Sequence, residues 1–109
     1  MSAANEYPRV YADDRGLWRE DEPGKAHCIK WKQISRIDAY IRDEADGSPA
    51  VLEIALDGRR YFGLDSTMPG FDEVVEAISR AMPGIDPQFP QAIRDLDPND
   101  DALTLWKRK

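Results

Sequence analysis

The sequence predicts an α+β fold: a mainly antiparallel β meander or partial barrel, covered by one α-helix at about 70–82 and closed by a C-terminal strand at about 102–107. Three observations predict it. Short segments before residue 65 alternate apolar with polar residues. Turn-forming clusters separate them at short intervals. One later stretch, Phe71 to Met82, carries apolar residues at helical spacing.

The first two strands are "RVYA" and "GLWRE", which flank the turn cluster "DDRG". "HCIKW" then sets His27, Ile29 and Trp31 on one face and Cys28 and Lys30 on the other. After a short step at "KQIS", "RIDAYIR" alternates again, with Ile37, Ala39 and Ile41 against Arg36, Asp38, Tyr40 and Arg42. "DEADGSP" is a loop. "VLEIAL" and "RRYFGL" flank Asp57-Gly58, a strong hairpin signal. A three-residue loop with a bulge gathers Leu52, Ile54, Leu56, Phe62 and Leu64 on one face, whereas a two-residue turn does not. Residues 7 to 64 are therefore expected to curl into one continuous sheet, its apolar side sealed by the helix.

The triplet Met-Pro-Gly occurs at Met68 and again at Met82. Between the two lie Phe71, Val74, Val75, Ile78 and Met82, one apolar stripe, with Asp72, Glu73, Glu76 and Arg80 mainly on the other side. Pro69 and Gly70 suit a helix entrance, and Asp72 and Glu73 stand in the first turn, where the helix dipole favours acids. Pro83 cannot continue the helix, and Gly84 readily takes a left-handed conformation. The triplets are brackets around one helix, not a repeat. Beyond it, "DPQFPQAIRDLDPNDD" reads as an irregular crossover with one helical turn at Gln91–Arg94, and "ALTLWKRK" as the returning strand.

At 109 residues the chain has the length of one domain, spanning 1–109, and roughly two thirds of its unfolded surface can be buried. Cys28 is the single cysteine, so no intrachain disulfide can form. "MSAANEYPRV" lacks a basic region followed by an apolar run, and no apolar stretch approaches a membrane span, so a cytoplasmic protein without membrane contact is expected. The net charge of −6 is uneven: residues 61–106 hold nine acids against Arg80 and Arg94, while the tail "KRK" is basic. That surface repels phosphate backbones and shows no basic stripe, which argues against nucleic acid.

Chemistry-bearing patterns are sparse. Asp95, Asp97, Asn99 and Asp101 alternate like the first half of a calcium loop, but Asp100 and Trp106 stand where its Gly and bidentate Glu belong. His27 and Cys28, adjacent on a strand, point to opposite faces and cannot share a metal or act as a nucleophile–base pair. Nucleotide fingerprints do not occur. No catalytic, metal or cofactor-binding residue is expected. Trp18, Trp31 and Trp106 each fall on an expected strand, where core packing is the simpler reading and interface anchoring the other. Tyr40 turns outward between Asp38 and Arg42.

"IKWKQISRIDAY" (Ile29–Tyr40) resembles the I-x-W-x-x-I-x-x-I step of bacterial pleckstrin-homology-like and GRAM-like domains. Together with "MPGFDEVVEAISRAMPGI" and "LTLWKRK", it is similar to a family of small uncharacterised bacterial proteins, over most of residues 29–109. The resemblance implies a pleckstrin-homology-like partial barrel and brings no catalytic residues. The strand after the helix departs from that fold's usual order. Phosphoinositide-binding members of the wider fold use basic residues between the first two strands. The turns here, "DDRG" and "REDEPGK", are mainly acidic, so lipid binding does not carry over.

The expected function is a non-catalytic protein-interaction module, of immunity-type or regulatory character. It would dock a basic partner through an acidic face, with Asp97, Asp100, Asp101 and Tyr40 as the candidate surface. The alternative is a small-ligand-binding protein or enzyme with a pocket between sheet and helix. A third expectation is a homodimer through an edge strand, the last one included.

Overall fold

The computed structural model describes residues 7–42, 47–57, 59–99 and 101–108. Among these residues are seven strands and two α-helices: β1 (Arg9–Ala12), β2 (Gly16–Glu22), β3 (Lys25–Lys30), β4 (Ile34–Ile41), β5 (Ala50–Leu56), β6 (Arg60–Asp65), α1 (Phe71–Ala81), α2 (Phe89–Arg94) and β7 (Leu103–Lys107). The strands pair antiparallel in two sheets, β1-β2-β3 and β6-β5-β4-β7.

The expectation of one continuous sheet is thus corrected. β3 and β4 do not pair, because a 3-10 turn at Trp31–Gln33 lies between them. Its backbone is satisfied locally. The Gln33 Oε1 accepts from the Lys30 N–H at 2.8 Å, and the Ile34 N–H bonds the Trp31 carbonyl. Trp31 accordingly sits in this turn rather than on a strand.

The β5–β6 hairpin has the expected register. Leu52 faces Leu64, Ile54 faces Phe62 and Leu56 faces Arg60, so Asp57 to Arg59 form a three-residue loop. Arg59 carries the positive φ of 66° in it. All five apolar residues of that face are buried.

The helix bracket also holds. α1 buries Phe71, Val74, Val75 and Ile78, and Met82 follows them into the core. Gly70 takes the N-cap with φ 90°, and Gly84 has φ 73° past the C-terminal end. α2 is longer than the single turn expected at Gln91–Arg94: it starts at Phe89, with Pro90 in its first turn, where a missing N–H costs nothing. Its Phe89 and Ile93 enter the same cluster as Leu17, Ile34, Ile37 and Leu52. The core is aliphatic, with Phe62, Phe71 and Phe89 added. Trp31 and Trp106 are half-buried at its margin, and Trp18 lies outside it, stacked on Tyr11 at 5.8 Å on the outer face of the first sheet.

One side chain ties the two sheets together, and another fastens the end of the second sheet. Arg19 of β2 reaches the second sheet, donating from Nη1 to the Gly63 carbonyl at 2.6 Å with its guanidinium over the Phe62 ring. Asp65, almost fully buried at the end of β6, accepts from the Thr67 N–H and hydroxyl and from Arg42. Burial alone would raise its pKa. The Thr67 and Arg42 hydrogen bonds outweigh it, and the carboxyl is held below its ordinary range.

Candidate interaction surface

Open sheets have edges, and an unpaired edge exposes a row of backbone donors and acceptors. Among the described residues four strands are edges: β1, β3, β6 and β7. At β1 the Val10 N–H is used by the Pro69 carbonyl at 2.9 Å. At β6 the Gly63 carbonyl is used by Arg19. The β3 edge is lined by exposed Lys25 and Lys30, charges of the kind that guard an edge, with exposed His27 between them. β7 also ends on an exposed base, Lys107, and is distinguished by a groove and the exposed Leu103 beside it.

β7 is secured to the molecule at both ends and along one side. At its C-terminal end the Arg108 N–H bonds the Ser35 carbonyl at 2.9 Å. The guanidinium of Arg108 donates to the carbonyls of Lys32 and Ile34 and meets Asp57 at 3.2 Å. Near its start, the Thr104 hydroxyl donates to Asp38 Oδ1 at 2.7 Å. Trp106 sends its indole N–H to the Pro83 carbonyl at 2.9 Å. The second Met-Pro-Gly triplet therefore does two jobs, ending α1 and seating the last strand. A bulge between the Ile37 and Asp38 pairings gives β7 one extra residue.

Successive residues of a strand turn their N–H groups to opposite sides. Since the Arg108 N–H faces β4, that of Lys107 faces away. A groove of about 700 Å³ lines this region, bounded by Pro83, Gly84 and residues Thr104 to Arg108. Leu103 at the strand's start is 46% exposed, although aliphatic.

The residues expected to form the surface are placed as follows. Asp97 and Asp101 are exposed on the segment between α2 and β7. Asp97 accepts from the Asn99 N–H at 2.9 Å, a local turn. Asp100 lies outside the described residues. Leu103 faces Ala39, so Asp101 enters two residues earlier, at the Tyr40 end of β4. Tyr40 is half-buried on the outer sheet face and donates its hydroxyl to Glu53 at 3.1 Å. Burial, then that bond to Glu53, raises the Tyr40 pKa, so it stays a neutral donor. Sequence reasoning placed the acids but not the groove, whose only sequence signal was the second Met-Pro-Gly triplet.

The calcium-like alternation is taken up locally. Asp95 accepts from Gln91 at 2.9 Å, as Asp97 does from Asn99. Among the described residues, no group of three or more His, Cys, Asp and Glu is arranged to hold a metal ion. Between α1 and the first sheet lies a cleft of about 400 Å³, with Asp13, Asp14, Trp31 and Arg80 in its wall. Asp13 is already engaged there by the N–H groups of Arg15 and Gly16. No helix among the described residues is long and apolar enough to cross a membrane. Comparison with protein-family models, with curated proteins and with solved structures finds no match to this chain.

Proposed function

We propose that the chain is a non-catalytic protein-interaction module that receives another polypeptide along the outer edge of β7, with a regulatory or immunity-type role in the cytoplasm. The observation that carries this reading is the edge itself. β7 combines an outward backbone, an adjoining groove and an exposed leucine, while β1 and β6 each give one backbone group to another part of the chain and the β3 edge carries lysines. An added strand would gain main-chain hydrogen bonds from the edge and side-chain selectivity from the groove. The exposed carboxylates of Asp97 and Asp101 would attract a partner's basic groups and speed encounter.

For the fold we infer a pleckstrin-homology-like partial barrel. In support stand a three-stranded meander, a second antiparallel sheet and the tryptophan-bearing step between them; β7 following the helices is the departure.

Site-specific photo-cross-linking tests the interaction reading. A photo-reactive residue in place of Leu103 in the full chain, expressed in the source organism, is expected to capture a polypeptide. The same residue in place of Lys25 on the β3 edge is expected to capture none. Equal capture at both positions, or none at Leu103, contradicts it.

A further inference from the structure

We infer that the polypeptide received by β7 is a strand of a different protein, antiparallel to it, with an acid set against Lys107 and apolar residues on its inner face. The inference rests on the reading of β7 as the interaction edge and names the chemistry of its occupant. The outer face of the second sheet selects the acid. Arg36 and Lys107 are directly opposed across β4 and β7, and both turn outward, since Ile37 and Trp106 beside them turn to the core. Like charges set opposite one another destabilise a strand pair. Arg36 is balanced by Asp38 at 3.0 Å, and Asp38 in turn accepts from the Thr104 hydroxyl. Exposed Lys107 has no such acid among the described residues. An acid on an added strand supplies it from the free side.

The inner face selects the rest. Every strand pairing found among the described residues is antiparallel, the arrangement more stable per residue. A strand antiparallel to β7 runs the same way as β4 and repeats its order of faces. Its residue against Lys107 turns outward, as Arg36 does. The next turns inward, to Trp106 and the groove beside Pro83 and Gly84. Two residues further, another inward residue meets Leu103, which pairs with buried Ala39 and is still 46% exposed. Aliphatic side chains at these two positions remove apolar surface from water on both partners. Beyond them the strand reaches exposed Asp101, where a base is the complement. The pattern is acid, apolar, polar, apolar, polar, base. A second copy of β7 does not fit it, because the bulge sets its own Asp101 and Lys107 on opposite faces.

Two acetylated and amidated hexapeptides of one composition test this on the full chain: Glu-Val-Thr-Val-Thr-Lys and its charge-reversed form Lys-Val-Thr-Val-Thr-Glu. Fluorescence anisotropy of the labelled peptides is expected to show the first binding about tenfold more tightly, since reversal turns two unlike pairs into like ones. Turned parallel to β7, the reversed peptide recovers its charge pairs only by facing its valines outward. Binding of the first peptide is expected to slow amide exchange at Lys107 and to leave Lys25 on the β3 edge unchanged. Lys107→Glu is expected to abolish the preference, and the Asp101→Lys, Lys107→Glu double variant to invert it. Equal affinity for the two peptides, no binding of either at millimolar concentration, or a preference unmoved by the swaps overturns the inference. So does a chain that sediments as a dimer with its Lys107 amide protected, because a second copy is then the occupant. If position 103 cross-links a polypeptide while the two peptides are not told apart, the occupant's chemistry fails and the reading of the edge stands. If neither occurs, both fall.

Discussion

Gly70→Ala is expected to be among the most destabilising single changes in the chain, at about 3 kcal/mol or more. Two effects add. The backbone at Gly70 has φ 90°, a region L-residues avoid at a cost of about 1–2 kcal/mol. A Cβ there would also stand 1.9 Å from the Val10 carbonyl oxygen and 3.1 Å from its carbon, so backbone itself must move. That movement is coupled, because the Val10 N–H is bonded to the neighbouring Pro69 carbonyl. β1 and the start of α1 would separate together. Gly84 provides the internal control: its φ is 73°, but a Cβ there meets nothing within 4 Å. Gly84→Ala should therefore show only the conformational cost, about 1 kcal/mol. Urea unfolding checks both, and equal midpoints for the two variants would show that the contact between β1 and the helix entrance is not as tight as described.

Phe89→Ala is expected to cost about 3–5 kcal/mol, the range for emptying a buried aromatic site. Phe89 is 1% exposed and the largest of the fully buried side chains. It holds a six-residue helix that has too few turns to be stable alone, so packing alone secures it. The loss should reach further than the cavity. α2 leads directly into the segment carrying Asp97 and Asp101, and then into β7. Fluorescence of Trp106, whose indole N–H is fixed to Pro83, is expected to redden in this variant before global unfolding. A variant within about 1 kcal/mol of the parent would mean that α2 is peripheral to the core.

These two residues also mark what local sequence can and cannot say. The α1 stripe and the hairpin register were legible because each depends on residues close in the chain: Phe71, Val74, Val75 and Ile78 along one helix face, and Ile54 opposite Phe62 across one loop. Phe89 was hidden by Pro87 and Pro90, which read as irregular chain although a proline in a first helical turn is well tolerated. The break between the sheets was hidden because "KQIS" suits a strand step or a 3-10 turn equally. Only the Gln33 side chain, folding back on Lys30, decides between them. The β7 surface was the least legible. Asp97 and Asp101 advertise their charge, but the groove and edge exist through Trp106 on Pro83 and Arg108 on Lys32 and Ile34, partners 23, 76 and 74 residues apart. No periodicity encodes such pairings.

The central claim is that β7 is fastened to β4 along one side and open along the other, and amide hydrogen exchange on the dilute chain reads this directly. Arg108, bonded to the Ser35 carbonyl, should exchange slowly, while its neighbour Lys107 exchanges at nearly the rate of an unstructured peptide. Equal, strong protection of both amides at dilution would mean that the outer edge is already covered within one copy, and would contradict the account.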